Sequence, residues 1–196
     1  MKSICVFCGS SMGIRPGYRQ GVEELAGILL ERKMQLVYGG ANVGLMKVLA
    51  DTVLAGGGDV IGIMPRRLVE NEVAHYGLTK MHIVESMSER KTLMVELSDA
   101  FIAMPGGFGT FDELAEVITY NQLRLSDKPI GILNLEHYFD DLLNFFTHAA
   151  NEGFLRHEHR NNLVMDENPA ELLRKMSLYQ PVSIEKWLRD IKEESK

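Results

Sequence analysis

The chain has 196 residues, of which 45% are hydrophobic and 24% are charged, and its formal net charge is −6. These values are typical of one soluble globular domain that covers residues 1–196. The acidic balance argues against a nucleic-acid partner, which requires a basic face, and leaves room for a local basic pocket for a small phosphate. No apolar run approaches the roughly 20 residues of a membrane span or forms the core of a signal peptide. We therefore expect a cytoplasmic protein with no membrane partner.

Short apolar runs that end at glycine or proline alternate with segments of helical periodicity. Strands are predicted at residues 3–8, 34–38, 59–64, 80–84 and 129–134, and in the apolar run before Pro105. Helices are predicted at about 16–32, 44–55, 86–97, 110–125, 138–151 and 168–178, with a short helix in the tail at 184–196. The segment 65–79 lacks periodicity and predicts a long loop. This alternation predicts an α/β, Rossmann-like fold: a doubly wound parallel sheet with helices on both faces.

Three of the predicted strands end in glycine-containing turns. These turns are Gly9-Ser10-Ser11, Gly39-Gly40-Ala41-Asn42 and Pro105-Gly106-Gly107. In a doubly wound sheet, ligands bind at the carboxyl ends of the strands, so the three turns predict a nucleotide-like ligand. Ser10, Gly39, Gly40 and Asn42 are therefore candidate binding residues.

The third turn, which continues through Phe108 and Gly109 to Thr110, has the strongest signal. A strand that passes through glycines into a helix leaves backbone N–H groups free at the helix N-terminus, where the helix dipole adds partial positive charge. Glycine also lets a ligand approach the backbone closely. The turn predicts a phosphate cradle. It is not a Walker loop, because no Lys-Ser/Thr pair follows, and it is not a dinucleotide fingerprint, because Asp112 stands where the third glycine belongs.

Glu113 follows this turn by one helical turn, and its spacing allows two interpretations. It is placed to act as a catalytic carboxylate beside a bound phosphate ester. Alternatively, Thr110-x-x-Glu113 is a capping box, in which the glutamate bonds back to the backbone at the start of the helix.

Arg90 is unusual because it shares one helical face with the apolar residues Met87, Met94 and Leu97. An unpaired charge within an apolar stripe is costly. Either the guanidinium extends along the stripe to solvent, or it points into a pocket that holds an anionic partner. The sequence leaves both alternatives open.

Neither a metal site nor a cofactor is predicted. Cys5 and Cys8 are spaced C-x-x-C on a predicted strand, where positions three apart face opposite sides, and no second pair exists to complete a zinc site. His157-Glu158-His159 lacks further nearby ligands, and His75 stands alone. We expect buried, unreactive cysteines and ordinary histidines.

Several motifs together resemble the LOG ("Lonely Guy") family of cytokinin-activating phosphoribohydrolases, once labelled lysine decarboxylases. The segment 105–113 fits the family's PGGxGTxxE pattern at every fixed position. The segment 87–91 is similar to its M-H-x-R-K motif, and the segment 38–46 is similar to its second glycine motif. The likeness runs from residue 2 to about 178.

The resemblance implies hydrolysis of the N-glycosidic bond of an adenosine 5′-monophosphate, often N6-prenylated, without a cofactor and in a homodimer. It implies Arg90 and Glu113 as the catalytic pair. It also implies a set of substrate contacts: Glu72, Lys91, Gly107, Phe108, Gly109, Thr110 and Thr119. Two departures from the family pattern, Ser88 for a histidine and Tyr120-Asn121 for Trp-Ala, affect the preference for the base or prenyl group more than the reaction.

Two other functions remain open. A non-catalytic nucleotide-binding module would keep the glycine turn without needing Arg90 and Glu113 together. A lysine decarboxylase dependent on pyridoxal phosphate would need a Schiff-base lysine, for which Lys47 and Lys91 are the candidates near the motifs.

Overall fold

The computed structural model describes residues 1–70 and 73–182. Seven parallel strands form one sheet in the order β4-β3-β2-β1-β5-β6-β7. They are β1 (Ser3–Phe7), β2 (Gln35–Tyr38), β3 (Val60–Pro65), β4 (Lys80–Val84), β5 (Ala100–Ala103), β6 (Ile130–Leu133) and β7 (Val164–Asp166). The chain builds outward from β1 to β4 and then returns to the other side of β1 for β5 to β7. The adjacent strands β1 and β5 therefore form the topological switch point, where such sheets bind ligands.

Eight helices cover both faces of this sheet in the described part of the chain. They are α1 (Pro16–Glu31), α2 (Gly44–Ala55), α3 (Arg66–Glu70), α4 (Met87–Glu96), α5 (Phe108–Gln122), α6 (Asp140–Asn151), α7 (His157–Asn161) and α8 (Pro169–Ser177), with a short 3-10 helix at Leu135–His137. α1, α2 and α8 pack on one face, and α4, α5 and α6 pack on the other. The predicted doubly wound architecture is confirmed. None of these helices has the length and apolar character needed to cross a bilayer.

The two cysteines show how the strand period of two residues divides the core. Cys5 packs in the apolar cluster with α4, α5 and α6, whereas Cys8 packs in the cluster with α1, α2 and α8. Both are free thiols, and burial raises the pKa of each well above its ordinary value. The prediction that they face opposite sides and fill core space is confirmed.

All six predicted strands form, but three features differ from the sequence-based expectations. The strand β7 was not predicted, because three half-exposed residues are too short a run to show alternation. The segment predicted as a loop at 65–79 begins with the short helix α3. Finally, α5 starts at Phe108 rather than at Thr110. The predicted helix at 184–196 and the candidate contact Glu72 lie outside the described residues.

Two glycines on α1 provide a test of the packing. A Cβ at Gly21 would collide with both methyl groups of the buried Leu135, whereas a Cβ at Gly27 meets no atom within 4 Å. We expect Gly21→Ala to lower the free energy of unfolding by about 1–3 kcal/mol through overpacking. Gly27→Ala should raise it by about 0.5–1 kcal/mol, because alanine is the better helix former. Urea denaturation of both variants measures the difference, and a stabilised Gly21→Ala protein would contradict this packing.

Candidate active site

The turns that follow β1 and β5 meet at the switch point and line a cleft of about 280 Å³. The amide of Gly9 donates a hydrogen bond of 3.0 Å to the carbonyl of Pro105, which joins the two turns. Tyr18 and Tyr138 contribute aromatic side chains to the wall of the cleft. Of the predicted binding residues, the structure places Ser10 and Gly107 in this lining.

The start of α5 offers hydrogen-bond donors beside the cleft. The backbone N–H groups of residues 106–110 have no acceptor among residues 1–70 and 73–182. The start of α2 is different, because the amides of Leu45 and Met46 donate to the carbonyls of Ser11 and Gly9. The start of α5 therefore presents a run of free amides to an anion, with the positive end of its dipole behind them, whereas two of the first amides of α2 are already bonded.

The glycines of the α5 turn fall into two kinds. A Cβ at Gly106 would collide with the side chain of Thr110 and lie 2.9 Å from the backbone nitrogen of Gly9, so the fold itself requires glycine there. A Cβ at Gly107 or Gly109 would meet no atom within 4 Å, and neither residue has a positive φ. Neither internal packing nor backbone conformation explains these two glycines. They leave open space in front of the free amides.

Arg90 and Glu113 form a buried ion pair on the α4–α5 face of the sheet. Nη1 of Arg90 lies 2.8 Å from Oε1 of Glu113, and the two side chains are 11% and 9% exposed. Nε of Arg90 donates a hydrogen bond of 3.0 Å to the carbonyl of Ile63 in β3. A Cβ at Gly39 would collide with Nη2 of Arg90, so the glycine that ends β2 makes room for the guanidinium. The alternative of a pocket with an anionic partner is confirmed for Arg90.

The same geometry excludes the capping box at Glu113. The N-cap of α5 is Gly107, and the carboxylate of Glu113 faces Arg90 instead of the start of its own helix. Burial raises the pKa of Glu113 above its ordinary value, and the charge and hydrogen bond of Arg90 offset this only in part. Because Glu113 lies four residues after Gly109, both residues are on the same side of α5, about 6 Å apart along the axis.

Two of the predicted substrate contacts, Lys91 and Thr119, bond to other groups of the protein. Lys91 pairs with Asp112 at 3.1 Å and with Glu116 at 3.0 Å. Thr119 is exposed more than two turns beyond the free amides, and its hydroxyl bonds to the carbonyl of Ala115 in its own helix. The structure does not bring Thr119 to the cleft within one chain.

In the second glycine motif, the backbone of Gly40 and Asn42 is hydrogen-bonded to the segment 73–75. The carbonyl of Gly40 accepts from the amide of His75, and the amide of Asn42 donates to the carbonyl of Val73. His75 is buried, and its ring also bonds to Asp51 at 2.8 Å, which agrees with the expectation of an ordinary histidine. The contribution of Gly40 and Asn42 to ligand binding stays a prediction.

Of the two departures from the family pattern, the one at Tyr120-Asn121 has structural partners. Nδ2 of Asn121 donates to the carbonyl of Lys128 at 2.7 Å and to the hydroxyl of Tyr179 at 3.2 Å, near the C-terminal end of α5. The hydroxyl of Tyr120 donates to Glu116 at 3.0 Å. Ser88 is exposed on α4. Asn121 therefore anchors a loop and a helix end, and nothing in the structure explains the replacement at Ser88.

Sequence reasoning missed the two cleft tyrosines, Tyr18 and Tyr138. Tyr18 lies in an amphipathic helix, where an aromatic residue predicts only packing. Tyr138 follows two residues with positive φ, Glu136 at 53° and His137 at 60°. Neither residue is glycine or asparagine, so the sequence contained no signal for this turn.

Fold and site together define a Rossmann-like α/β protein in which one helix, α5, has free amides at its N-terminus and carries the glutamate of a buried arginine–glutamate pair. Residues 46–176 match the profile of a family described as "Possible lysine decarboxylase". The chain is 46% identical to the probable cytokinin riboside 5′-monophosphate phosphoribohydrolase LOGL1 of Oryza sativa subsp. japonica, over 90% of this chain and 79% of that protein. It is 43% identical to the cytokinin riboside 5′-monophosphate phosphoribohydrolase LOG7 of Arabidopsis thaliana, over 92% and 83%. The chain therefore belongs to the LOG family.

Solved structures with lower sequence identity share the fold. The molybdenum cofactor binding protein from Rippkaea orientalis superimposes with a TM-score of 0.67 at 22% identity, over 89% of this chain and 94% of that one. The Moco carrier protein from Chlamydomonas reinhardtii gives a TM-score of 0.64 at 19% identity, over 88% and 98%. At these identities the likeness shows the architecture alone.

The open space at Gly109 gives a test that separates binding from folding. Gly109→Ala should leave the free energy of unfolding unchanged or raise it by up to about 1 kcal/mol, because alanine favours the helix. It should weaken the binding of inorganic phosphate about tenfold, or ~1.4 kcal/mol, because the methyl group fills the space in front of the amides. Isothermal titration with phosphate measures this, and Gly27→Ala is the matched control away from the cleft. Unchanged phosphate affinity in Gly109→Ala would contradict the anion site.

Proposed function

We propose that this protein hydrolyses the N-glycosidic bond of an adenosine 5′-monophosphate, plain or N6-prenylated, to the free base and ribose 5-phosphate. The buried Arg90–Glu113 pair beside a helix N-terminus with free amides carries the proposal. The relatives named above support it, since they are named for this reaction on cytokinin riboside 5′-monophosphates. A binding module alone has no need to bury an ion pair next to its anion site.

The 5′-phosphate binds at the start of α5, where the amides of Gly107, Phe108, Gly109 and Thr110 and the helix dipole compensate its charge. Ser10 faces the same cleft from the β1 turn. Holding the phosphate fixes the position of the ribose relative to Glu113. This orientation of the ribose lowers the activation barrier for cleavage.

Glu113 acts on the ribose. Cleavage at C1′ passes through a state with positive charge on the sugar, as in other glycoside hydrolyses. A carboxylate next to the ring stabilises this charge and accepts a proton from the attacking water. The water oxygen bonds to C1′, the C1′–N9 bond breaks, and the base leaves with the bonding electrons and takes up one proton, which balances the proton that Glu113 accepted from the water. Arg90 keeps the carboxylate in place through a charge-assisted hydrogen bond.

The decarboxylase alternative does not fit the lysines near the motifs. A Schiff-base lysine must lose its proton, and enzymes achieve this by lowering its pKa. Burial lowers the pKa of Lys91, but Glu116 and Asp112 outweigh burial and raise it overall. Lys47 is half exposed and pairs with Asp51 on the surface of α2. These two lysines therefore do not fit the role of a Schiff base with pyridoxal phosphate.

The resemblance to the family also leads us to expect a homodimer in the cytoplasm, with no nucleic-acid partner. Sedimentation analysis of the full chain tests the oligomeric state. Within one chain, Lys91 and Thr119 lie apart from the cleft lining described above. The structure of a complex with a nucleotide tests their proposed substrate contacts and that of Glu72.

An end-point assay tests the proposed reaction. The purified full chain is incubated separately with AMP and with N6-isopentenyladenosine 5′-monophosphate, and free base and ribose 5-phosphate are quantified. We expect equal amounts of base and ribose 5-phosphate from at least one substrate, and the ratio of rates gives the preference for the prenyl group. Binding of both nucleotides without release of base would favour the non-catalytic module.

Substitution of the carboxylate tests its role. We expect Glu113→Gln to lower kcat/KM by about 10²–10⁴-fold, because the amide neither accepts a proton nor carries charge. In the wild type, kcat/KM should fall on the acid side with an apparent pKa above 4.5, the ordinary value for glutamate, because burial raises the pKa of Glu113 and only the ionised form is active.

The matched control is Glu116→Gln, the same change one turn further along α5, which should cost far less activity. Thermal unfolding of both variants verifies that they fold. Wild-type turnover by a folded Glu113→Gln protein would remove the catalytic role of this residue.

A further inference from the structure

Tyr138 connects the wall of the cleft to the anion-binding turn. Its hydroxyl donates a hydrogen bond to the carbonyl oxygen of Gly106, the first residue of the segment 106–110 with free amides. Its ring packs edge-on against Phe139, with centroids 5.1 Å apart, and against Tyr18 at 5.8 Å. Among the described residues, no other donor is seen at the carbonyl of Gly106.

The chain holds Tyr138 in this position at a conformational cost. Glu136 and His137, directly before it, both adopt left-handed φ angles, each of which costs about 1–2 kcal/mol in a non-glycine residue. Two anchors hold this turn. Buried Asn134 accepts a 2.7 Å hydrogen bond from the amide of Phe139, and Arg15 donates one of 3.1 Å to the carbonyl of Glu136. The strained turn places the hydroxyl of Tyr138 within hydrogen-bond distance of the carbonyl of Gly106.

The consequence for the anion site follows from peptide geometry. The carbonyl of Gly106 and the N–H of Gly107 belong to one trans peptide plane and point in opposite directions. Glycine on both sides leaves this plane free to rotate, because no Cβ restricts it. A hydrogen bond that fixes the carbonyl of Gly106 therefore also fixes the direction of the N–H of Gly107, one of the free amides of the turn.

We propose that Tyr138 is a positioning residue for the phosphate site and acts through the Gly106–Gly107 peptide. This inference rests on the proposed function, which supplies the substrate. The part of the substrate that the site recognises is the phosphate group, which any phosphate monoester carries. Tyr138 holds the turn in the conformation in which successive amides converge on one anion, so that phosphate binding carries no cost of reorienting the peptide.

The test is Tyr138→Phe, which retains the ring and its packing and removes only the hydroxyl. With one hydrogen bond lost, KM for AMP should rise roughly three- to tenfold while kcat stays within about twofold. The dissociation constant of inorganic phosphate, measured by isothermal titration, should rise by the same factor. Binding of adenosine, which lacks the phosphate, should not change.

Tyr179→Phe is the matched control. The hydroxyl of Tyr179 accepts hydrogen bonds from Asn121 and Asn162 at the other end of α5, so its loss should lower thermal stability without changing KM or phosphate affinity. This comparison separates positioning of the anion site from a general structural role of a tyrosine hydroxyl.

Three results would overturn the inference: wild-type phosphate affinity in Tyr138→Phe, a fall in kcat at constant KM, or an equal loss of affinity for adenosine. Failure of the proposed function gives a different result. In that case the wild type binds phosphate, Tyr138→Phe binds it more weakly, and neither protein releases base from AMP.

Discussion

The site depends on a buried ion pair that the protein would not form for stability alone. Removing a carboxylate and a guanidinium from water costs several kcal/mol for each, and the attraction between them recovers this only when the geometry is good. Here the 2.8 Å contact between Arg90 and Glu113 is supplemented by the carbonyl of Ile63. The glycine at position 39 is a further requirement, because any side chain there would displace the guanidinium. The strand β3, the helices α4 and α5 and the turn at Gly39 together hold the carboxylate of Glu113 in a fixed position away from water.

The backbone donors at the starts of α2 and α5 are used in different ways. At α2 the first amides hold the β1 turn against the helix, so this end of the sheet is closed by internal hydrogen bonds. At α5 the amides are left without internal partners, next to two glycines that no packing requires. The amides at 107–109 belong to exposed residues at a helix start, where water ordinarily satisfies them, so they are open to an anion.

Chains of this fold do not share one function. The structural relatives with TM-scores of 0.64 and 0.67 are named as a carrier and a binding protein for the molybdenum cofactor. A parallel sheet with a switch point offers a place for a phosphate-bearing ligand and says nothing about chemistry. In this chain the proposed chemistry rests on the buried arginine–glutamate pair, in which burial raises the pKa of the carboxyl of Glu113.

By itself the sequence determined the repeating strand–turn–helix order, the doubly wound fold, the glycine turns and the anomaly of a charge at Arg90 in an apolar stripe. These features follow from local periods and from the steric freedom of glycine, which are properties of neighbouring residues. The family resemblance implied that Arg90 and Glu113, 23 positions apart, act together, but the tertiary structure decided that they form an ion pair and that Glu113 does not cap its own helix. It also decided that Asn121 anchors a loop, that three residues at the sheet edge form β7, and that a strained turn brings Tyr138 to Gly106. Such partners are set by distances between elements far apart in the chain, and no local pattern encodes those distances.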